Sequence, residues 1–455
     1  LRKTMRVNDR GHLEAGGCDL TELARRFKTP LYVLDEAVVR DNCRAYLAGM
    51  RDYPGTAEIH YAGKAFLTAA MCRILEQEGI GLDVVSGGEL YTALQAGFPA
   101  AAISLNGNNK AAGELDYALA AGVGRIIVDN AYELELLNAA ARSRDMSADI
   151  LLRIAPGVEA HTHSHIQTGQ LDSKFGLTTA AGQAFTVCRQ ALALSNIRLR
   201  GLHCHLGSQI FSPEPYAAAV GTLLELARQL KAETGWSMEE LNVGGGLGIK
   251  YADSDVPPSI AEYTARLSRT VREEAERRRL ALPVLLLEPG RSIVGPAGLT
   301  LYTAGAIKEI PGVRKYVAVD GGMGDNLRPA LYDAKYECLS ANKAGAAPAE
   351  TVTVAGRYCE SGDILVRDAV LPAIEPGDIL AVLNTGAYHY SMASNYNRVG
   401  RPAMVLVNRG IAEIILRRES YADLVRCDVI PARLRAAEAS LPGRRAGEGG
   451  KQIVG

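Results

Sequence analysis

Short β-rich runs, each largely apolar, recur at residues 59–64, 82–86, 103–107, 125–129, 149–155, 199–206, 241–245 and 284–290. The stretches between them, such as 88–96, 113–121, 131–141 and 217–233, are rich in alanine, leucine and glutamate and read as helices. Strand followed by helix, repeated, requires parallel strands joined by crossover helices. Eight such units predict a closed (β/α)8 barrel of the TIM type. A helix-like segment at 36–47 precedes the first run, so the barrel is expected to open with a helix.

Beyond residue 290 the pattern changes. Strand-like runs follow one another directly at 299–307, 315–319, 351–355, 379–382, 402–408 and 411–417, separated by turn signals such as Pro311-Gly312 and Pro376-Gly377-Asp378. This predicts an antiparallel β domain, a barrel or a sandwich, after the TIM-type barrel. A strand at 31–34 has no barrel partner and is expected to pair into that domain. The expected division is a barrel at 36–295, a β domain made of 1–35 with 296–435, and a small, polar tail at 436–455 that is expected to be disordered.

Composition narrows the function classes. The 455 residues carry 50 lysines and arginines against 51 acidic residues, a net charge of −1. So even a balance argues against a dedicated nucleic-acid binder or an anionic membrane partner. No apolar run is long enough to span a bilayer, and the start at Leu1 has no apolar leader, so a cytoplasmic protein is expected. The eight cysteines form no C-x-x-C pair and read as reduced thiols, with neither a disulfide framework nor a zinc site.

In a barrel of this kind reactive groups gather at the C-terminal strand ends. The sequence places Lys64 there after the first run, and His203, His205 and Ser208 at the sixth. Gly244-Gly245-Gly246 follows the seventh run and Glu288-Pro289-Gly290-Arg291 the eighth. A lysine amine desolvated in a pocket attacks aldehydes. Consecutive glycines let backbone N–H groups approach phosphate oxygens. Glu288 suits pairing with a pyridinium nitrogen, and His205 suits stacking on the ring. Together they point to a phosphate-bearing cofactor that forms an imine. Singly, each has a plainer reading as a solvated lysine, a glycine turn or a packed histidine. Of His203 and His205, one is expected to face the barrel interior and the other to be packed or exposed.

Other clusters stay open at this level. His161, His163 and His165 are either a metal site or part of a polar loop; the lack of an adjacent carboxylate favours the loop, and the polar stretch 159–176 suits a lid. No metal is therefore expected. Segments 320–332, 356–363 and 386–397 are dense in reactive types. They read either as ordinary loops or as a substrate-recognition wall facing the barrel mouth.

Ten stretches also carry a resemblance: HYAGKAF (60–66), LDVVSGGELYTAL (82–94), GNNK (107–110), TGQLDSKFG (168–176), GLHCHLGSQIF (201–211), LNVGGGLG (241–248), EPGR (288–291), DGGMGDNLRPALY (320–332), CESGD (359–363) and GAYHYSMASNYNR (386–398). In these, and in their order, the chain resembles the diaminopimelate decarboxylases, of the alanine-racemase-like class of pyridoxal-phosphate barrels. EPGR and the glycine triplet occur throughout that class, whereas CESGD with RPALY is specific to the diaminopimelate branch.

The resemblance implies decarboxylation of meso-2,6-diaminopimelate to L-lysine and CO2, the last step of lysine biosynthesis. By it Lys64 would hold pyridoxal 5'-phosphate through an imine, His205 would stack on its ring, and Glu288 would pair with its nitrogen. Ser208, Gly245, Gly246, the Gly290-Arg291 backbone and Tyr388 would hold the phosphate. Arg291, Arg328, Tyr332, Glu360 and Tyr388 would read the substrate, and Cys359 would return a proton to the α-carbon. Cys359 and Glu360 would do so in the other subunit's site, making the enzyme a homodimer with shared active sites and no nucleic-acid or membrane partner.

Residue chemistry agrees with this, since two arginines suit a distal carboxylate and Glu360 suits a distal ammonium. Three alternatives remain at this stage. They are a sister decarboxylase for ornithine, arginine or a carrier-bound amino acid, a metal-dependent hydrolase built on His161, His163 and His165, and a non-catalytic cofactor-binding barrel. Arg328, Tyr332 and Glu360 weigh against the first, and CESGD weighs against the last.

Overall fold

The computed structural model describes residues 4–158 and 173–435. The His161, His163 and His165 run and the 436–455 tail lie outside the described residues. The eight predicted runs are the barrel strands Ala57–Ala62, Gly81–Val84, Ile103–Leu105, Arg125–Val128, Ala148–Ala155, Ile197–His203, Glu240–Asn242 and Val284–Leu287. Neighbours are parallel throughout, and the eighth strand closes on the first with Leu286 opposite Glu58. Helix Glu36–Gly49 comes before the first strand, as the pattern predicts.

Capping chemistry fixes the turns that leave the strands. Thr68, Ser86 and Asn130 each accept a first-turn backbone N–H of the helix that follows. A side-chain cap of this sort contributes about 1 kcal/mol and leaves little slack between strand end and helix start. At the opposite end of the barrel, Arg125 pairs with Glu240 at 2.6 Å and Glu58 at 3.0 Å, and Glu58 reaches His60 at 3.2 Å. These charges are spent on one another at the N-terminal ends of the strands, so the groups open to chemistry lie at the other mouth.

The 13-residue strand Gly298–Ile310 is the spine of the second sheet. It pairs antiparallel with Leu31–Asp35, Arg314–Val319 and Ile379–Leu383, so the early strand joins the β domain as expected. Two ladders depart from the antiparallel expectation. Leu31–Asp35 runs parallel to Ala403–Asn408, and Arg314–Val319 runs parallel to Glu350–Ala355. Parallel neighbours need a long connection. The first pair is separated by the whole barrel, and the second by the excursion that carries Arg328 and Tyr332. Strands Cys338–Ser340 and Ile364–Leu371 add to the predicted set. All eight cysteines are free, with Cys359 and Cys427 exposed. No helix among the described residues is long and apolar enough to cross a membrane.

Candidate active site

A cavity of about 390 Å³ opens at the C-terminal mouth of the barrel. Lys64, His205, Ser208, Glu288 and Arg291 line it from the barrel, and Arg328, Tyr332 and Tyr388 from the β domain. Residues distant in sequence are thus brought together as the strand-end reading requires.

Lys64 sits on a tight turn, Gly63–Ala65, directly after the first strand. The Ala65 carbonyl accepts from the Tyr388 backbone N–H at 2.8 Å and from Ser391 Oγ at 2.7 Å, which pins the lysine's turn to the β domain. Tyr388 adopts φ +63°, a left-handed conformation that a non-glycine residue holds only where its surroundings impose it. Gly290 packs against the same turn; a Cβ there would stand 3.0 Å from the Ala65 Cβ. Lys110, the lysine of GNNK, is spent on structure, with Nζ on the carbonyls of Gly107 (2.6 Å) and Ile127 (2.8 Å) and on Glu133 at 2.8 Å.

Glu288 follows the eighth strand and is buried. Its Oε2 lies 3.1 Å from His203 Nε2, and its Oε1 accepts from Asn242 Nδ2 at 2.7 Å. Burial pushes this carboxyl up, but the hydrogen bonds from His203 and Asn242, with the charge of Lys64, outweigh it and hold the group below the usual carboxylate range. Asp83, at the end of the second strand, goes the other way. Burial, followed by the nearby charge of Glu288, pushes it well above that range.

His203, the last residue of the sixth strand, and His205, just beyond it, both line the cavity, which corrects the expectation that only one faces inward. Residues i and i+2 of a strand share a face. It is Cys204, between them, that points outward into the core beneath the helices. His205 Nδ1 accepts from the Gly245 backbone N–H at 3.2 Å, so this nitrogen is unprotonated. Burial, then Lys64 and Arg153, keep the imidazole neutral. Gly245 has no room for a side chain, since a Cβ would fall 2.0 Å from the Glu288 carbonyl oxygen. Gly246 adopts φ +118°, and its Cβ would meet the Gly207 carbonyl at 2.7 Å. The glycine turn is therefore a cradle of close-packed bare backbone at the strand ends, and Gly245 and Gly246 do not themselves line the cavity.

Two buried guanidiniums, Arg291 and Arg328, line the cavity. Arg291 donates through Nε and Nη2 to Ser208 Oγ (3.1 and 2.8 Å) and through Nη1 to Tyr251 Oη at 2.7 Å, and lies 4.7 Å over the Tyr388 ring. Arg328 bonds Tyr336 Oη and sits 5.0 Å from the Tyr251 ring centre. Among the described residues no carboxylate lies within ion-pair distance of either. Two buried cations without counter-ions favour an anionic ligand.

Cys359 and Glu360 are exposed and do not line this cavity. The Cys359 backbone N–H donates to Asn397 Oδ1 at 2.9 Å, which ties CESGD to the 386–398 motif on the surface of the β domain.

Sequence reading missed Asp83, Asn106, Arg153, Asn242 and Tyr251, and undervalued His203. Arg153 left a signal, as the lone charge within the strand sequence LLRIA; it lines the cavity with its guanidinium 4.4 Å over Phe175. Asp83 and Asn106 also lie at strand ends, where the same rule would have found them.

The family model for pyridoxal-dependent decarboxylases, pyridoxal binding domain, matches residues 38–295. Diaminopimelate decarboxylase of Bacillus subtilis (strain 168) is 49% identical over 429 residues, covering 94% of this chain and 98% of that protein. The enzyme of that name from Halalkalibacterium halodurans is 48% identical over 426 residues, covering 94% and 97%. Among solved structures, the M. jannaschii diaminopimelate decarboxylase in complex with L-lysine superposes with a TM-score of 0.89 at 37% identity, covering 95% of this chain and 99% of that one.

Proposed function

The chain belongs to the diaminopimelate decarboxylases, within the pyridoxal-dependent decarboxylases, and we infer from its cavity how its own residues do that family's chemistry. It releases CO2 from meso-2,6-diaminopimelate and leaves L-lysine, closing lysine biosynthesis, with pyridoxal 5'-phosphate as cofactor. The observation that carries the site assignment is the convergence on a single cavity of one amine, one ionised carboxylate and two guanidiniums that have no carboxylate partner among the described residues.

The residues fit the cofactor. Lys64 would hold it through its amine, Glu288 would face its ring nitrogen, and the cradle of Gly245 and Gly246 with Ser208, the Gly290-Arg291 backbone and Tyr388 would take its phosphate. When bound, the cofactor takes up the electron pair left on the α-carbon as CO2 departs. Glu288 supports this by keeping its negative charge in a buried setting. His205, neutral and locked by Gly245, would lie against the ring without repelling its positive charge. Arg328, with Arg291 and Tyr332, would take the distal carboxylate of the substrate; a substrate lacking it would leave buried cations unpaired.

The proton for the α-carbon would come from Cys359, and the distal ammonium would meet Glu360, both supplied by the other subunit of a homodimer. The exposure of both residues outside their own cavity supports this reading. So does the apolar surface beside them, where Tyr421, Val425, Val429 and Ile430 stand exposed and Arg398 ties their segment to the 386–398 loop through Asp428 at 2.7 Å. The division of labour would follow the boundaries 36–295 for the cofactor barrel and 1–35 with 296–435 for recognition and dimer contacts, in a cytoplasmic enzyme. CO2 release from meso-diaminopimelate, measured beside L-lysine and L-ornithine, tests the reading. Release from meso-diaminopimelate alone is expected, and equal turnover of L-ornithine would overturn the assigned role of Arg328.

A further inference from the structure

We propose that His203 is a positioning residue for Glu288: it holds that carboxylate by a hydrogen bond that brings no charge with it, so Glu288 keeps a full negative charge toward the cavity. The proposal rests on the reading above that Glu288 faces the ring nitrogen of the cofactor.

The geometry carries it in three steps. His203 is completely buried on the sixth strand, and its Nε2 lies 3.1 Å from Glu288 Oε2. Its other nitrogen, Nδ1, is buried with no hydrogen-bond partner among the described residues. A proton on Nδ1 would leave a buried donor unsatisfied, and without one on Nε2 a lone pair would face a carboxylate oxygen. Both costs vanish when the single proton sits on Nε2, so the side chain is a neutral donor. An imidazolium fails on the same count, because it also carries an Nδ1–H with no acceptor. Burial resists protonation too, as do Arg153 and Lys64, against the pull of Glu288.

The charge count explains why a histidine suits this place. A cation bonded to Glu288 would close an ion pair and cancel the charge that a pyridinium needs beside it. His203, Asn242 and Asn106 are all neutral donors to the two Glu288 oxygens, at 3.1, 2.7 and 3.5 Å. They aim the carboxylate and keep it ionised without neutralising it.

The test reloads the apo form of the full chain with pyridoxal phosphate and reads its dissociation constant and the absorbance of the bound cofactor. His203→Asn is neutral but too short to reach Oε2; His203→Gln restores a neutral donor of adequate length. His203→Asn is expected to bind the cofactor about 10-fold to 100-fold more weakly with a shifted absorbance, and His203→Gln to stay within about threefold of wild type. Because His203 acts through Glu288, adding His203→Asn to Glu288→Gln should cost no more than about twofold further. In the wild-type holoenzyme, nitrogen resonances of labelled histidine should report the Nε2–H form of His203 across neutral pH. That measurement stands even if His203→Asn does not fold, and an imidazolium there would overturn the proposal. A normal His203→Asn beside an impaired Glu288→Gln would overturn this proposal alone. A Glu288→Gln with wild-type affinity and spectrum would remove the reading of Glu288 and this proposal with it.

Discussion

Asp83 and Glu288 share one amide: Asn106 Nδ2 lies 3.1 Å from Asp83 Oδ1 and 3.5 Å from Glu288 Oε1. Two buried carboxyls joined in this way do not both ionise near neutrality. Glu288 has His203 and Asn242 as further donors, so the charge settles there and Asp83 keeps its proton. Asp83→Asn preserves the shape and the neutral state of that side chain. Cofactor loading and kcat/KM are therefore expected to stay within about fivefold of wild type, by the modest net worth of one exchanged hydrogen bond. A hundredfold loss in steady-state kinetics would mean that the ionised form of Asp83 is the one in use.

Arg328 is buried with no carboxylate within ion-pair distance among the described residues, which leaves its charge open to an anionic ligand. Arg328→Met keeps the volume and removes the charge. By the cost of unpairing a buried charge, kcat/KM for meso-diaminopimelate should fall by roughly 3–5 kcal/mol while cofactor loading stays normal. The preference for meso-diaminopimelate over L-lysine should collapse with it. Kinetics on both compounds check this, and a variant that lost the cofactor instead would move Arg328 to the cofactor side of the site.

Among the described residues Lys64 is the lysine that lines the cavity, while Lys110, close in sequence to other site residues, is tied to two carbonyls and Glu133. Borohydride reduction of the holoenzyme followed by peptide mapping should place the pyridoxyl label on Lys64. A label on Lys110 or any other lysine would reverse the assignment.

The barrel was readable in the sequence because strands covered on both faces appear as short apolar runs between amphipathic helices, and all eight did. Ile364–Leu371 was not, since Arg367 and Asp368 stand exposed at its centre, with Asp368 at φ +53° where the ladder shifts register. The parallel ladders were invisible for a different reason: partners such as Val33 and Val405 are joined only through the folded barrel. Motif residues at strand ends, Lys64 and Glu288 among them, could be placed by rule. His203 was undervalued through a parity error, as i and i+2 share a face. Tyr251 left no local signal, because its use depends on Arg291 arriving from another strand end.

Asp325 offers a stability probe away from the chemistry. It is buried beside Tyr302 and accepts from the Gly322 backbone N–H at 3.0 Å; burial nonetheless raises its carboxyl to about 7. A carboxyl whose folded value exceeds its unfolded value of 3.8 binds its proton more tightly when folded. Its contribution to stability is therefore fully present below about pH 4 and lost as pH rises toward 7, by an amount on the order of 4 kcal/mol. Asp325→Asn cannot titrate. Relative to wild type it should gain stability between pH 4 and pH 7 and level off above, as read by denaturant unfolding across that range. A difference that does not change with pH would show that Asp325 is ionised in the fold throughout.

Cys359 bears on the assembly. It is exposed and absent from its own chain's cavity, yet a proton must be delivered beside the cofactor. A thiol near cationic side chains shuttles a proton at neutral pH. If the thiol serves the other subunit, Lys64→Ala and Cys359→Ala are each inactive alone, but their mixture is not. A mixed dimer then holds one site with both wild-type residues and one with neither. With random exchange of equal amounts, half the dimers are mixed and one site in two is whole, so activity should return to about a quarter of wild type. The recovery should grow at the rate of subunit exchange, which differently tagged subunits report independently. Mixtures that exchange fully and stay inactive would place both residues in one chain's site, and the shared-site assembly would fall.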